Sequence, residues 1–260
     1  MGAGGYSFRM KAVLSDIHGN IEALEAVLAD IESKGIKEIV CLGDIIGYGP
    51  DPRECLEATK GVDTLIMGNH EHAALHPETA EQFNLRARRA IDWTRVRVLG
   101  DPNEPDTVRE ARRQLISDFK IKANIEGIQY VHGSPRNPIR EYITPRDAQD
   151  KAKMGAIFGH TEAVYFIGHS HIPGVFSPTE GFTHPSEMMD IYILGEEKVL
   201  INVGSVGQPC DGNPEACYVT FDVDTVVFRR VEYDVEKTVR KIYAISELDN
   251  FFGDRLRKGR

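Results

Sequence analysis

The stretch Met10-Lys11-Ala12-Val13-Leu14-Ser15-Asp16-Ile17-His18 joins a short apolar run to two residues that can bind a metal ion. Residues 10–15 predict a buried strand, and Asp16 and His18 follow directly after it. Asn20 then caps a predicted helix whose apolar residues recur at helical spacing. Four later segments also contain metal-ligand residue types: Gly43-Asp44, Gly68-Asn69-His70-Glu71, His132-Gly133 and Gly168-His169-Ser170-His171.

The pattern along the chain alternates strand and helix in its first half and is rich in strands afterwards. Strands are predicted at 38–42, 62–67, 128–131 and 164–167, then at 191–194, 199–203, 218–221 and 226–231. A helix is predicted over 79–99, and a final helix is capped by Asp234. This order predicts stacked sheets flanked by helices, an α/β or α+β fold. We expect one domain over residues 10–260 after a disordered lead-in over residues 1–9.

The candidate ligands Asp16, Asp44, Asn69, His132 and His169 all stand at or just past the end of a predicted strand. In α/β sheets such strand ends meet at one edge, where ligands bind. Each motif alone is weak, because Asp-x-His and Gly-Asp arise often by chance. Five such motifs in order are specific, and they predict a single site.

The ligand set is chemically mixed: four imidazoles, two carboxylates and one amide oxygen. Such a set favours Mn, Fe, Zn or Co over Ca or Mg, and its size predicts two adjacent divalent ions. Two metals about 3.5–4 Å apart stabilise both the attacking and the leaving oxygen in a displacement at phosphorus. The set therefore indicates a phosphoester hydrolase.

Composition limits the other classes of function. With 41% hydrophobic and 27% charged residues in 260, the chain has the composition of a soluble globular protein. It shows neither a secretory signal nor a membrane-spanning run, and its four cysteines lack zinc-knuckle spacing, so we expect a cytoplasmic protein. A net charge of −9 disfavours long nucleic acids but permits a small phosphorylated substrate or a phosphoprotein.

The ordered set from Asp16 to His171 resembles the calcineurin-like metallophosphoesterase superfamily. Two further segments resemble its bacterial branch of small protein phosphatases and diadenosine tetraphosphatase-like enzymes: Gly43-Asp44-Ile45-Ile46-Gly47-Tyr48-Gly49-Pro50 and Asn202-Val203-Gly204-Ser205-Val206-Gly207-Gln208-Pro209. The resemblance covers most of the chain. It implies a four-layer α/β/β/α sandwich with two central mixed β-sheets.

The resemblance also implies roles for the ligands. Asp16, His18 and His171 would hold one metal, with Mn favoured, Asn69, His132 and His169 the other, and Asp44 would bridge the two. A water between the metals would attack phosphorus in line. His70 would donate a proton to the leaving oxygen or stabilise charge there, with Glu71 as its orienting partner. Cys210 stands where related sequences often have Arg, so we expect the preceding loop to lack a nearby cation for binding phosphate.

The sequence also offers candidate residues for substrate binding. Tyr48, Arg136 and Arg140 stand in or beside ligand loops and are candidate substrate contacts. The substrate could be a phosphomonoester, a phosphodiester or a dinucleoside polyphosphate. Two alternatives stay open, a non-catalytic binding scaffold on the same fold and a metal-dependent hydrolase of another bond.

Overall fold

The computed structural model describes residues 10–260, so the predicted disordered lead-in over residues 1–9 lies outside it. The strands within these residues are β1 (Lys11–Leu14), β2 (Glu38–Cys41), β3 (Thr64–Leu65), β4 (Lys122–Ile125), β5 (Ile128–Val131), β6 (Val164–Ile167), β7 (Gly174–Ser177), β8 (Gly181–Thr183), β9 (Ile191–Ile193), β10 (Val199–Asn202), β11 (Ala216–Asp222) and β12 (Thr225–Val231). The α-helices are α1 (Ile21–Ser33), α2 (Pro52–Ala58), α3 (Asn69–Leu75), α4 (Leu85–Arg95), α5 (Asp106–Ser117), α6 (Lys151–Gly159), α7 (Val235–Tyr243) and α8 (Phe251–Leu256).

The strands form two six-stranded sheets, with the orders β3-β2-β1-β11-β12-β9 and β4-β5-β6-β10-β7-β8. Both sheets are mixed. β1, β2 and β3 run parallel in the first, as do β5, β6 and β10 in the second, while their other neighbours pair antiparallel. The predicted α/β class with two mixed sheets is confirmed.

Alternation along the strands sorts side chains into layers. Val13 of β1 points between the sheets, where it packs in one core with Phe166 of the second sheet. Its neighbour Leu14 points the other way, into a core shared with α1. On the far side, Leu200 of β10 packs with Ile157 of α6. The layers are therefore helix, sheet, sheet and helix, as the resemblance implied.

The parallel strands bring the ligand loops to one edge. Asp16, Asp44 and Asn69 follow β1, β2 and β3, and His132 and His169 follow β5 and β6. Backbone hydrogen bonds tie these loops together: the Asp16 N–H donates to Gly43 O at 3.0 Å, and the Gly168 N–H donates to His132 O at 2.9 Å. The carboxyl ends of the parallel strands in both sheets thus form one continuous site.

Some sequence-based boundaries were wrong. The predicted strand over 62–67 shortens to Thr64–Leu65. The predicted helix over 79–99 is interrupted, because Pro77–Gln82 forms a 3₁₀ turn and Asn84 caps a new helix through the Ala87 N–H. The strands β4, β7 and β8 were not predicted, since they are short and lack a long apolar run.

The predicted final helix is in fact two helices, α7 and α8. The chain leaves α7 at Ala244 and begins α8 after Asn250. Tyr243 at the end of α7 and Phe251 at the start of α8 are 41% and 43% exposed. The separate second helix places Phe251 on the surface beside the ligand loops rather than in the core.

No helix within residues 10–260 combines the length and the apolar content that a membrane crossing requires.

Gly207 provides a test of the loop packing. Its N–H donates to Asp16 O at 2.9 Å, and a Cβ there would overlap the Ile17 carbonyl oxygen. We expect Gly207→Ala to lower the free energy of unfolding by about 3 kcal/mol, measured by urea denaturation, because backbone must move.

Gly155→Ala is the matched control, because it lies in α6 with no atom within 4 Å of an added Cβ. It should raise the free energy of unfolding by about 0.5–1 kcal/mol through helix propensity. Equal effects of the two substitutions would contradict the tight packing of the Gly207 loop against the Asp16 loop.

Candidate metal centre

The structure brings all seven predicted metal ligands together in two adjoining groups. Asp16, His18 and His171 form one group whose ligand atoms lie within 4.8 Å of one another. Asp44, His132 and His169 form a second group under the same distance. The Asn69 Oδ1 joins the second group at 3.1 Å from His132 Nε2.

Each of the four imidazoles has one ring nitrogen bound to a backbone carbonyl. His18 Nδ1, His132 Nδ1, His169 Nε2 and His171 Nδ1 donate to the carbonyl oxygens of Ile46, Leu42, Arg140 and Gln208, at 3.3, 3.0, 3.2 and 2.7 Å. A carbonyl oxygen can only accept, so these nitrogens carry the protons. In its neutral form, each ring therefore presents the lone pair of its other nitrogen to the centre, as metal-binding histidines do.

In the neutral rings, these lone pairs point at the lone pairs of neighbouring ligand atoms. His18 Nε2 lies 3.0 Å from His171 Nε2, and His132 Nε2 lies 3.1 Å from His169 Nδ1. The Asp16 Oδ1 is buried with no hydrogen-bond partner, 3.2 Å from His171 Nε2. Acceptors this close repel unless protons or cations lie between them. The donor set and its geometry therefore fit divalent cations with mixed nitrogen and oxygen coordination.

Asp44 stands between the two groups. Its Oδ2 lies 3.3 Å from His132 Nε2 and 3.7 Å from His18 Nε2, so it faces a ligand from each group. Its Oδ1 accepts the His70 backbone N–H at 2.9 Å, which fixes the carboxylate plane. The position suits the bridging role implied by the family resemblance, which stays a prediction.

Charges within the centre are strongly coupled. Burial disfavours the imidazolium forms, but Asp44 and Asp16 outweigh it and raise the pKa of His132 to about 9 and that of His171 to about 10. Burial prevails at His169, where it lowers the pKa to about 3. Burial also opposes ionisation of Asp16, but the nearby histidines hold its pKa below the usual range. A bound cation must displace the protons of His132 and His171.

Five of the seven ligands lie in the left-handed backbone region. Their φ angles are 55° for Asp16, 50° for His18, 52° for Asp44, 67° for His169 and 60° for His171. Such angles are uncommon outside glycine and cost of order 1–3 kcal/mol each. The cluster of strained residues coincides with the converging lone pairs, which marks this edge as the functional site.

His70 lies beside both groups, within 4.8 Å of the ligand atoms of His18 and Asp44. Its ring packs in an aromatic enclosure, with ring centroids at 4.5 Å from Tyr48 and 5.0 Å from Phe83. Its Nδ1 is buried without a partner, and a Cβ on Gly47 would overlap that atom. Burial lowers the pKa of His70, so the ring is uncharged at neutral pH.

The expected orientation of His70 by Glu71 is wrong. The Glu71 carboxylate points away and accepts four backbone N–H groups, from Asp44 at 2.8 Å, Ile45 at 2.7 Å, Ile46 at 3.1 Å and Gly68 at 3.0 Å. Burial raises its pKa to about 7 although these donors oppose the shift. Glu71 therefore holds the Asp44 loop against the start of α3.

A cleft of about 270 Å³ opens beside the second ligand group. Of the three predicted substrate contacts, Tyr48 and Arg140 line it, together with the ligands Asn69 and His169. Arg136 does not line it, because its guanidinium is bound to Glu141. The structure thus brings two of the three residues to the cleft.

Two residues of the site were missed in the sequence. Tyr142 stacks on His169 with ring centroids 3.6 Å apart. The Arg255 guanidinium donates to the Cys210 thiol, beside the ligand His171. Arg255 belongs to α8, and no local motif connects it with a ligand loop 45 residues away. The cation expected to be missing near Cys210 is therefore present, supplied from another part of the chain.

Comparison with known proteins gives consistent matches. A calcineurin-like phosphoesterase superfamily domain matches residues 10–226. An uncharacterized protein of Methanocaldococcus jannaschii, MJ0912, is 40% identical over 261 residues, covering 96% of this chain and 98% of that protein. A metallophosphoesterase structure from Sphaerobacter thermophilus is 31% identical with a TM-score of 0.80, covering 98% of this chain and all of that one.

A structure of the hypothetical protein PH1004 from Pyrococcus horikoshii OT3 shares the fold, with a TM-score of 0.73 at 23% identity, over 96% of this chain and 98% of that one. The family match covers most of the chain and includes all seven candidate ligands. It agrees with the predicted superfamily, with the two mixed sheets and with the ligand groups at their shared edge. The chain belongs to the calcineurin-like phosphoesterase superfamily.

Proposed function

We propose that the protein is a phosphohydrolase that holds two divalent cations and cleaves a phosphomonoester, a phosphodiester or a dinucleoside polyphosphate. One observation carries the proposal. Four imidazoles, each oriented by a backbone carbonyl, direct their lone pairs at one another and at the oxygens of Asp16, Asp44 and Asn69. Without cations the arrangement takes up protons at His132 and His171, and its nitrogen and oxygen donors suit two divalent ions in their place.

The cations would be held by the two groups, with Asp16, His18 and His171 on one side and His132, His169 and Asn69 on the other. Asp44 would serve both. The mixed nitrogen and oxygen set suits Mn, Fe, Zn or Co, and we favour Mn. When bound, two such ions would lower the pKa of water and stabilise the charge that develops on a phosphoryl group.

Arg140 is positioned to bind the phosphate. Its guanidinium lines the cleft and is held by neutral partners, Gln82 Oε1 at 3.2 Å and His72 Nδ1 at 3.2 Å. Burial and Arg140 both lower the pKa of His72, which keeps that ring neutral and accepting. The guanidinium is therefore oriented without being neutralised, and its charge is free to pair with a phosphate oxygen.

His70 would act at the leaving oxygen. Because its lowered pKa leaves the ring uncharged at neutral pH, a hydrogen bond from a ring N–H to the developing negative charge is favoured over donation from an imidazolium. Cations bound beside it would lower the pKa further. Tyr48 and Phe83 hold the ring in place by packing.

The substrate class follows from size and charge. A cleft of about 270 Å³ fits a small phosphate ester or a phosphorylated side chain of a protein. The net charge of −9 disfavours long nucleic acids and anionic membranes.

All four cysteines are free thiols, which supports the expected cytoplasmic location.

Cation binding should release protons. At pH 7 His132 and His171, with pKa values of about 9 and about 10, carry protons that a cation must displace. Titration of chelator-stripped protein with Mn²⁺ should release about two protons and bind more tightly as pH rises. Calorimetry in Tris and in PIPES, whose ionisation enthalpies differ, measures this number. Identical apparent enthalpies in both buffers would contradict it.

Hydrolysis should depend on metal and on His70. Stripped protein supplied with Mn²⁺ should hydrolyse p-nitrophenyl phosphate or its bis ester, and His70→Ala should lower kcat by about 10²–10⁴-fold. Elemental analysis should find two metals in both proteins. Bound metals with no turnover of either ester would refute the proposed function, whereas full activity of the variant would refute only the role of His70.

The role of Arg140 has a matched control in Arg136, on the same loop but bound to Glu141. Arg140→Met should lower kcat/KM for the cleaved p-nitrophenyl ester about 10- to 100-fold, because a charged hydrogen-bond donor to phosphate is lost. Arg136→Met should change it by less than about threefold. The reverse order of the two effects would assign phosphate binding to Arg136 instead.

A further inference from the structure

The cleft beside the ligands does not end at Tyr48. A second basin of about 780 Å³ adjoins it, and Tyr48, Phe83 and Asn84 line both. The far wall of this second basin comes from α4 and α8 and consists of Leu85, Arg86, Phe251, Phe252 and Arg255. A molecule bound at the ligands can therefore extend past Tyr48 into the second basin.

The second basin contains a cation without an acidic side-chain partner. No Asp or Glu side chain within residues 10–260 lies within 4 Å of the Arg255 guanidinium, which donates to the Cys210 thiol and to a main-chain oxygen of Arg260. The neighbouring Arg86 differs, because its Nε is 3.0 Å from Asp249. Arg255 is thus held in place without an acidic side chain, as Arg140 is in the first basin.

Arg255 also lies close to the ligands. The Cys210 thiol that it contacts is 3.7 Å from His171 Nδ1. Tyr48 separates the two basins, with its ring centroid 4.5 Å from that of His18 and 4.8 Å from that of Phe252. The two available guanidiniums therefore stand in different basins: Arg140 lines only the first and Arg255 only the second.

We propose that Arg255 binds a second anionic group of the substrate, a phosphate or a carboxylate, while the phosphate to be cleaved lies at the ligands. The inference rests on the proposed function and adds a substrate class, small esters with two separated anionic groups. Arg255 is partly buried and has no acidic side-chain partner within residues 10–260, so an anionic group of a substrate could pair with its guanidinium.

The aromatic surroundings strengthen the subsite. The Arg255 guanidinium lies 5.9 Å from the centroid of the Phe251 ring, and that of Arg86 lies 4.7 Å from it. Contact with a ring face restrains a guanidinium without neutralising it. Phe251 is 43% exposed because it lies in the wall of the second basin and not in the core.

The test compares two ligands that differ by one phosphate, adenosine 5′-monophosphate and adenosine 3′,5′-bisphosphate. Calorimetry on Mn²⁺-loaded protein should show the bisphosphate binding about 10- to 100-fold more tightly, the contribution of a charged hydrogen bond. Arg255→Met should reduce this ratio of Kd values to less than about threefold, and Arg255→Lys should retain part of it.

Arg257→Met is the matched control, because Arg257 lies just past the end of the same helix and pairs with Glu236 at 2.6 Å, outside both basins. The Arg257→Met protein should keep the wild-type ratio of the two Kd values. A wild-type protein that does not distinguish the two ligands would overturn the proposal. So would an unchanged ratio in Arg255→Met, or an equal loss of the ratio in Arg257→Met.

The binding ratio separates this proposal from the proposed function. If no ester is hydrolysed but the ratio depends on Arg255, the subsite stands and the hydrolase assignment fails. If esters are hydrolysed and the ratio is independent of Arg255, the subsite fails alone. If the enzyme is active, its preference for a second anionic group can also be measured by kcat/KM. The substrates to compare are the dinucleotides ApA and pApA, or the two adenosine phosphates.

Discussion

The convergence of lone pairs at the shared edge of the two sheets is the constraint on which the site depends. Seven ligand residues direct nitrogen or oxygen atoms at one another in a buried space, where unpaired acceptors are unfavourable. The fold holds them there by three means. Backbone carbonyls fix the imidazole rings, left-handed backbone at five ligands aims the side chains, and Glu71 ties the Asp44 loop to α3.

Such an arrangement is tolerated because the two sheets are rigid. The core between the sheets, with Val13 and Phe166 among its members, keeps the ends of β1, β2, β5 and β6 in register. Loops that leave these strands can then store strain without collapsing. Cations would replace the protons on His132 and His171 and draw the ligands together, so that stability and metal binding would be coupled.

The proposed substrate-binding basins draw on a different part of the chain from the candidate ligands. The ligands come from residues 16–171, whereas the second basin is closed by α8 near the end of the chain. The guanidiniums of Arg140 and Arg255 line the two basins, and neither is paired with an acidic side chain within residues 10–260. Each basin of this acidic molecule therefore has one arginine that could bind an anion.

Much of the fold and the ligand set could be predicted because strong local signals were present. Apolar runs such as Val164–Ile167 are complete strands that end in ligands, and the structure matches them residue for residue. Weak elements were missed. β4 is an edge strand with the sequence Lys-Ala-Asn-Ile, in which burial alternates but hydrophobicity does not stand out. The division between α7 and α8 depends on packing rather than on a proline or glycine.

The sequence by itself determined the ligand types, their order, the strands that carry them and hence the family. It did so because a residue's ligand chemistry and a strand's apolar pattern are local properties. Only the tertiary structure decided that Glu71 binds backbone rather than His70, that Arg136 is neutralised by Glu141, and that Arg255 meets Cys210. Those outcomes depend on which groups compete for the same charge across distant parts of the chain, and spacing along the sequence does not encode that competition.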